Sequence, residues 1–211
     1  MQFHKIMLFE SVISDIFRIL PSQKLKKEKN SVRELLAQKR RLLTKDVIKM
    51  HSAEVIAHLE QLPAFKEANT VMIYYPAHNE VDVLPLIKKY KKEKNFLFPV
   101  VKHRRMYACP YEGNAKMHRG KFNIPEPTTD PYVGKIDLIV LPGVGFDLQG
   151  NRLGRGGGYY DIFLSRLSAD TVLVGVGYDF QLAEMVPVSR KDKPVHYVIT
   201  PTEGILKAKR D

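Results

Sequence analysis

Glycine, arginine and tyrosine are concentrated in one stretch of the chain, residues 141–161, which reads LPGVGFDLQGNRLGRGGGYYD. Four of its glycines fall within residues 154–158, and Arg152 and Arg155 lie beside them. Backbone N–H groups in a glycine-rich loop can approach an anion closely, and arginine side chains pair with phosphate oxygens. The stretch therefore predicts a phosphate-binding loop, in which Asp161 either holds Mg²⁺ or caps the helix that follows.

The segments on either side predict how this loop is held. The apolar run 136–141 indicates a strand, and the apolar-periodic segment 162–167 indicates a helix, whose positive end also favours an anion. The loop is not a Walker A motif, because no Gly-Lys-Ser/Thr follows it. Nor is it the dinucleotide fingerprint: counted from Gly154 and Gly156, the third glycine position holds Tyr159. A tight turn that binds nothing is the alternative, but such a turn does not require two arginines.

Two other segments carry polar residues that could belong to a site. The sequence YYPAHNEVD follows the end of a predicted strand, 70–75, and strand ends are where open α/β sheets bind ligands. Glu80 in this segment could accept hydrogen bonds from a heterocycle with amino and ring N–H donors. Taken alone, Glu80 reads as a surface loop residue, His78 as a loop imidazole, and Asp192, within 187–200, as a turn aspartate.

Composition sets broad limits on the class of protein. The 211 residues can bury one substantial core, and the formal net charge of +11 suits an anionic partner. Residues 1–50 contain 12 basic and 5 acidic side chains, so most of the excess positive charge lies in this segment. Cys109 is the one cysteine, which excludes an internal disulfide and fits a buried, inert thiol in a reducing cytoplasm. No apolar run reaches the roughly 20 residues of a membrane span.

The first 28 residues are expected to form an N-terminal extension, followed by a single α/β domain over 29–211. Residues 1–20 show an apolar stripe of helical period without a secretory cleavage site, and Pro21 ends it. A docking helix and a start codon placed too far upstream both remain open. Ser31, with a glutamate three residues later, predicts the start of the first domain helix. Its inward stripe is expected to be Val32, Leu35, Leu36, Leu42 and Leu43.

Strand-like and helix-like segments alternate along the remaining chain. Helices are predicted over 45–62 and 82–90, strands over 70–75, 95–100, 105–109, 136–141, 171–176 and 197–200, and irregular structure over 112–135. The alternation predicts a three-layer α/β/α sandwich with a mostly parallel central sheet.

Three segments together resemble the 5-formyltetrahydrofolate cyclo-ligase family. They are LPGVGFD…G.RLGRGGGYYD, LPAFKEANTVMIYYPAHNEVDVLPLI and the helix containing KNSVRELLAQKRRL, in which Val32 replaces the usual leucine. The resemblance covers residues 29–200 and follows the family order. It implies the three-layer α/β fold shared with ribose-5-phosphate isomerase and CoA-transferase-like proteins.

The resemblance also implies roles for individual residues. Lys29 and Arg33 would contact ATP phosphates, Asp161 and Asp192 would hold Mg²⁺, and Glu80 would bind the pterin end of the folate. The nucleotide would be wrapped by Arg152, Leu153, Gly154, Arg155, Gly156, Gly157, Gly158, Tyr159 and Tyr160, of which Arg152 and Arg155 would be catalytic. The folate would be bordered by Tyr75, Phe98, Pro99, Met106, Arg155, Gly156, Gly157, Gly158 and Tyr159.

The implied reaction is an ATP- and Mg²⁺-dependent ring closure. 5-Formyltetrahydrofolate, with or without a polyglutamate tail, becomes 5,10-methenyltetrahydrofolate, and ADP and phosphate are released. The expected enzyme is a cytoplasmic monomer or weak homo-oligomer that needs neither nucleic acid nor a membrane. The alternatives are a non-catalytic nucleotide- or RNA-binding α/β protein and a relative of the sugar-phosphate isomerases.

Overall fold

A computed structural model describes residues 22–209 of the chain. Its helices are Ser22–Arg41 (α1), Lys45–Gln61 (α2), Pro63–Glu67 (α3), Pro85–Tyr90 (α4) and Tyr159–Leu164 (α5). Its strands are Thr70–Met72 (β1), Asn95–Lys102 (β2), Arg105–Pro110 (β3), Met117–Arg119 (β4), Pro125–Pro127 (β5), Leu138–Pro142 (β6), Gly145–Asp147 (β7), Arg152–Leu153 (β8), Val172–Val176 (β9), Leu182–Ala183 (β10), Tyr197–Thr200 (β11) and Gly204–Lys207 (β12). Among these residues, no helix is long and apolar enough to cross a membrane.

A seven-stranded sheet in the order β12-β11-β9-β6-β1-β2-β3 forms the centre of the described chain. The five inner strands, from β11 to β2, pair in parallel, and β12 and β3 add antiparallel edges. Parallel strands need crossover connections, so helices must cover the sheet faces. The predicted mostly parallel α/β sheet is confirmed.

Strand β6 shows how the layers form. Leu138 and Val140 belong to the core cluster that includes α2, α3 and α4, whereas Ile139 and Leu141 belong to the cluster that includes Phe163 of α5. Successive side chains of a strand point to opposite faces, so this continuous apolar run supplies both cores. The three-layer arrangement follows from this alternation.

A small three-stranded sheet, β10-β7-β8, lies beside the central sheet. Its β7–β8 hairpin closes around buried Asp147, whose carboxylate accepts hydrogen bonds from the backbone N–H groups of Gln149, Asn151 and Val186 and from the Asn151 side chain. Residues 141–161 therefore contain a hairpin before the glycine loop, which corrects the simpler order of strand, loop and helix.

The first helix begins earlier than expected. Ser31 is not an N-cap: it lies inside α1, and its hydroxyl donates to the Lys27 carbonyl, 3.2 Å away and one turn back. The helix crosses the expected boundary between residues 28 and 29, and the stripe expected on 1–20 lies outside the described residues. The apolar stripe expected to face the core from this helix is only partly buried: Leu36 is buried, whereas Leu35 and Leu42 are exposed.

Most other elements lie where the apolar patterns predicted them. Helix α2 starts after Thr44, whose hydroxyl accepts from the Val47 N–H at 3.3 Å, as an N-cap should. Strand β1 ends at Met72, three residues before the expected end. Residues 112–135, expected to be irregular, contain the β4–β5 hairpin, and strand β12 was not predicted.

Candidate functional site

A cavity of about 850 Å³ opens beside the carboxyl ends of the neighbouring strands β1 and β6. Pro142 and Gly143 reach it from β6, and Tyr74, His78 and Glu80 reach it from the segment after β1. Ligands of open α/β sheets bind at such strand ends. The cavity is also lined by every residue from Arg152 to Asp161, together with Lys29, Arg33 and Asp192. The fold thus brings together groups that are separated by up to 163 residues in sequence.

The glycine loop follows β8 directly and leads into α5. Gly156 and Gly158 have φ values of +100° and +68°, which L side chains rarely adopt, so these two positions need glycine. The start of the loop is fixed by Arg33 of α1, whose Nε donates to the Gly154 carbonyl at 2.8 Å. Between Gly154 and α5 the backbone is free of regular structure.

Arg152 is buried at the inner wall of the cavity, with its side chain only 3% exposed. Its Nη2 donates to Asp161 Oδ1 at 3.0 Å, and its guanidinium lies 5.3 Å from the centre of the Tyr160 ring. Asp161 Oδ1 also accepts from the Lys193 N–H at 3.3 Å. Burial raises the pKa of Tyr160, so its hydroxyl stays protonated and uncharged.

A second ion pair joins α1 to the segment after β10. Lys29 Nζ donates to Asp192 Oδ2, and the same oxygen accepts from the Ser189 N–H at 2.7 Å. Both charged side chains are largely buried, at 13% and 19% exposure. Lys29, Asp192 and Arg33 therefore form one edge of the cavity.

Glu80 stands between two arginines. Arg155 Nη2 donates to its Oε1 at 2.6 Å, and Arg40 Nη1 lies 3.9 Å from the same oxygen. Its Oε2 accepts from the Ala77 N–H at 3.1 Å. The segment that carries Glu80 is held in a tight turn by His78 and Asn79, whose φ values are +52° and +58°.

The wall opposite the ion pairs is mainly apolar. It is lined by Pro99, Val101, Met106, Phe122 and Ile124, and Phe122 packs edge-on against Tyr159 with ring centres 6.1 Å apart. This wall is built from β2, β3 and the β4–β5 hairpin with its turn.

Two residues expected in the folate pocket lie elsewhere. Phe98 is 1% exposed and packs in the core, with Tyr75 at a ring-centre distance of 6.1 Å. Neither lines the cavity, whereas Pro99 and Met106 do. The reason is strand alternation: Phe98 and Pro99 are neighbours in β2, so their side chains point to opposite faces.

Arg40 and Glu126 were not singled out from the sequence. Arg40 is 6% exposed and Glu126 is 5% exposed, and both lie close to the cavity. Arg40 stands in a run of basic residues, QKRRLL, where its burial had no distinguishing signal. Glu126 was expected in irregular structure, so no face could be assigned to it.

The two aspartates have donor atoms suited to Mg²⁺. All hydrogen bonds to Asp161 from the described residues end on Oδ1, and all those to Asp192 end on Oδ2, so within that part of the chain each keeps one oxygen without a donor. Within 22–209, no cluster of three His, Cys, Asp or Glu side chains could hold a metal alone. The residues therefore fit an ion that takes one or two carboxylates and completes its shell with phosphate oxygens and water.

Comparison with known proteins decides the family. A profile of the 5-formyltetrahydrofolate cyclo-ligase family matches residues 25–201. The chain belongs to that family. This cyclo-ligase chain is 29% identical over 178 residues to the 5-formyltetrahydrofolate cyclo-ligase of Escherichia coli, covering 80% of this chain and 98% of that relative. The relative from Mycoplasma genitalium is 31% identical over 162 residues, covering 74% of this chain and 88% of its own length.

Solved structures agree with the family assignment. The 5,10-methenyltetrahydrofolate synthetase of Aquifex aeolicus superposes with a TM-score of 0.77 at 34% identity, covering 87% of this cyclo-ligase chain and 94% of the other. A 5,10-methenyltetrahydrofolate synthetase from Mycoplasma pneumoniae superposes with a TM-score of 0.67 at 23% identity, covering 82% of this chain and 99% of the other, and supports the fold.

Proposed function

We propose that this protein catalyses the ATP- and Mg²⁺-dependent cyclisation of 5-formyltetrahydrofolate to 5,10-methenyltetrahydrofolate, with release of ADP and phosphate. One observation carries the proposal: a single cavity of about 850 Å³ combines a cationic glycine loop with an apolar wall and a buried carboxylate, Glu80, that contacts Arg155 of the loop. Each of these parts matches one part of the two substrates.

The cationic part suits the nucleotide phosphates. Arg152, Lys29 and Arg33 lie around the cavity, and the glycine backbone between 154 and 158 can bring its N–H groups near an anion. Phosphoryl transfer requires mostly positioning and neutralisation of charge, and these groups provide both. Asp161 and Asp192 would hold Mg²⁺, which when bound neutralises phosphate charge and orients the phosphoryl group.

The remaining part suits a flat heterocycle. Pro99, Val101 and Met106 offer an apolar surface to a ring, and the Glu80 carboxylate can accept hydrogen bonds from the ring's amino and N–H groups. The substrate would thus lie between Glu80 and the strand wall, with its N5-formyl group directed to the glycine loop.

The proposed chemistry needs no nucleophile from the protein. The formyl oxygen on N5 attacks the γ-phosphorus, an O–P bond forms, and the bond from that phosphorus to the ADP oxygen breaks. N10 then attacks the activated formyl carbon and loses its proton, and the C–O bond breaks to release phosphate. Arg152 and Arg155 would stabilise the negative charge on the transferring group.

A spectroscopic assay tests the proposal. The purified chain is mixed with 5-formyltetrahydrofolate, ATP and Mg²⁺, and the near-ultraviolet absorbance of the methenyl product is followed. We expect product formation that stops when either ATP or Mg²⁺ is omitted. Folded protein that forms no product under these conditions, or forms it without ATP, contradicts the proposal. Location in the cytoplasm and a monomeric or weakly associated state stay predictions.

A further inference from the structure

The three charges of Arg40, Glu80 and Arg155 form a cluster with unequal exposure. The side chains of Arg40 and Glu80 are each 7% exposed, whereas that of Arg155 is 42% exposed. The cluster therefore has a buried half, Arg40 with Glu80, and a solvent-facing half, Arg155.

Arg155 occupies the Glu80 oxygen that a heterocycle would need. Recognition of adjacent amino and ring N–H groups uses both oxygens of a carboxylate side by side. Here Oε1 accepts from Arg155 at 2.6 Å, and Arg155 Nη2 also reaches the Ala77 carbonyl at 3.3 Å. A ligand that pairs with Glu80 must displace this contact.

The loop allows Arg155 to move away. Glycines stand on both sides of it, and added Cβ atoms at Gly156 and Gly158 would meet nothing closer than the Arg33 guanidinium, at 3.4 Å. Those at Gly154 and Gly157 would first meet side chains of the same segment, Arg152 at 2.9 Å and Tyr159 at 2.8 Å. The start of the loop is held by Arg33 at Gly154, and its end is held by α5. Arg155 can therefore swing between two fixed points toward the phosphate side of the cavity.

Arg40 cannot move in the same way. It lies in the last turn of α1, its carbonyl accepts from Asn79 Nδ2 at 3.2 Å, and its side chain is only 7% exposed. A buried carboxylate without a positive partner is strongly disfavoured. After Arg155 leaves, Arg40 remains as the positive partner that balances the charge of Glu80 and keeps it in place.

We propose that Arg40 is a positioning residue that holds Glu80 for the folate while Arg155 transfers from Glu80 to the nucleotide phosphates, so that each substrate strengthens binding of the other. This rests on the proposed function, because it takes folate at Glu80 and nucleotide at the glycine loop. It adds a coupling between the two sites and a role for a residue outside both of them.

The test measures binding of a non-hydrolysable ATP analogue with Mg²⁺, alone and with saturating 5-formyltetrahydrofolate, by calorimetry on the full chain. In the wild type we expect folate to lower the Kd of the analogue by at least about fivefold, and the analogue to lower the folate Kd by the same factor, as linkage requires. In Glu80→Gln, Arg155 is released in advance. The analogue alone should then bind more tightly than in the wild type, and folate should add little.

Arg40 is tested by two substitutions with different charge. Arg40→Met should weaken folate binding about tenfold while the Kd of the analogue measured alone changes less than about twofold, and Arg40→Lys should restore most of the folate affinity. Glu60→Gln is the matched control. Glu60 is a partly buried glutamate of α2 that lies outside the cavity lining, and its Oε2 pairs with Lys89 Nζ at 2.7 Å. This control variant should bind both ligands as the wild type does.

The outcomes separate this inference from the proposed function. If both ligands bind but neither changes the affinity for the other, and Glu80→Gln does not tighten analogue binding, the coupling is overturned while the function stands. If Arg40→Met weakens both ligands equally, Arg40 is a structural residue only, and its assigned role is overturned. If the wild type binds no nucleotide, the proposed function fails and the coupling fails with it.

Discussion

Arg152 and Asp161 are joined by a hydrogen-bonded ion pair of 3.0 Å between the last strand before the glycine loop and the first turn after it. The pair therefore fixes the two ends of the loop relative to each other. It also aligns the Arg152 guanidinium with the Tyr160 ring, 5.3 Å from its centre. The Asp161 oxygen that Arg152 leaves unoccupied is the one proposed to hold Mg²⁺.

Replacing Arg152 by alanine should abolish most of the activity. The substitution removes a positive charge from the proposed phosphate site and, among the described residues, leaves Asp161 with only the Lys193 N–H. We expect kcat/KM to fall by at least about 100-fold, the usual effect of losing one preorganised charge donor. Steady-state kinetics measure this loss, and circular dichroism confirms that the variant is folded. Arg152→Lys keeps the positive charge but loses the guanidinium geometry, so its kcat/KM shows which of the two matters. A wild-type kcat/KM in Arg152→Ala contradicts the assigned role.

Replacing Asp161 by asparagine should change the dependence on Mg²⁺. The asparagine carbonyl oxygen can still accept from Arg152, so the loop ends stay joined, but the negative charge for the metal is lost. The Mg²⁺ concentration for half-maximal activity should rise at least about tenfold. Asp170→Asn, in the exposed turn before β9, is the control that should leave this concentration unchanged. An unchanged Mg²⁺ requirement in Asp161→Asn would place the metal elsewhere.

The sequence predicted elements that depend on local patterns and missed contacts that depend on distant ones. The apolar runs located β6 and β9 within two residues, because strands buried on both faces need continuous apolar side chains. The contact of Glu80 with Arg155 joins residues 75 apart, and only the fold brings them together. The spacing at Ser31 matched a capping box, but good helix formers before it extended α1 instead.

Replacing Lys29 by methionine should weaken nucleotide binding through loss of a charge at the cavity edge. We expect the KM for ATP to rise about tenfold, with a smaller change in kcat. Because Lys29 pairs with Asp192, the double variant with Asp192→Asn should show non-additive effects in a double-mutant cycle. Lys116→Met is the control, since Lys116 forms an exposed pair with Glu112 outside the cavity. Additive effects would mean that the Lys29–Asp192 pair has no functional coupling.

Glu126 should make the protein less stable above the raised pKa of its carboxyl than at low pH. Burial raises the pKa of this carboxyl above its ordinary value of 4.5, although a hydrogen bond from Val101 and the charges of His118 and Lys102 oppose the shift. The folded state therefore keeps the proton longer than the unfolded chain does. The free energy of unfolding contributed by Glu126 is full below pH 4.5 and is lost as the pH rises through the raised pKa.

The measurement is urea unfolding of the wild type and Glu126→Gln across this pH range. The glutamine variant cannot ionise, so the difference between the two proteins isolates this residue from other titrating groups such as Asp147. We expect the variant to gain stability relative to the wild type as the pH rises, and the gain to level off above the raised pKa of Glu126. A constant difference at all pH values would show that Glu126 titrates alike in both states.

Replacing Gly156 by alanine should lower activity through the backbone of the loop rather than through overall stability. Gly156 has φ +100°, which L side chains rarely adopt, so alanine would strain the backbone of the loop, whereas its Cβ would meet the Arg33 guanidinium at 3.4 Å, an ordinary contact distance. Gly113 supplies a matched control, because it has φ +103°, no atom within 4 Å of an added Cβ, and a position outside the cavity lining.

Both alanine variants should lose about 1 kcal/mol of unfolding free energy from the left-handed strain. Only Gly156→Ala should also lose kcat/KM, by about tenfold, because misplacing a positioning loop raises the barrier. Equal activity loss in both variants would attribute the effect to strain alone, and full activity in Gly156→Ala would show that the loop does not need this conformation to act.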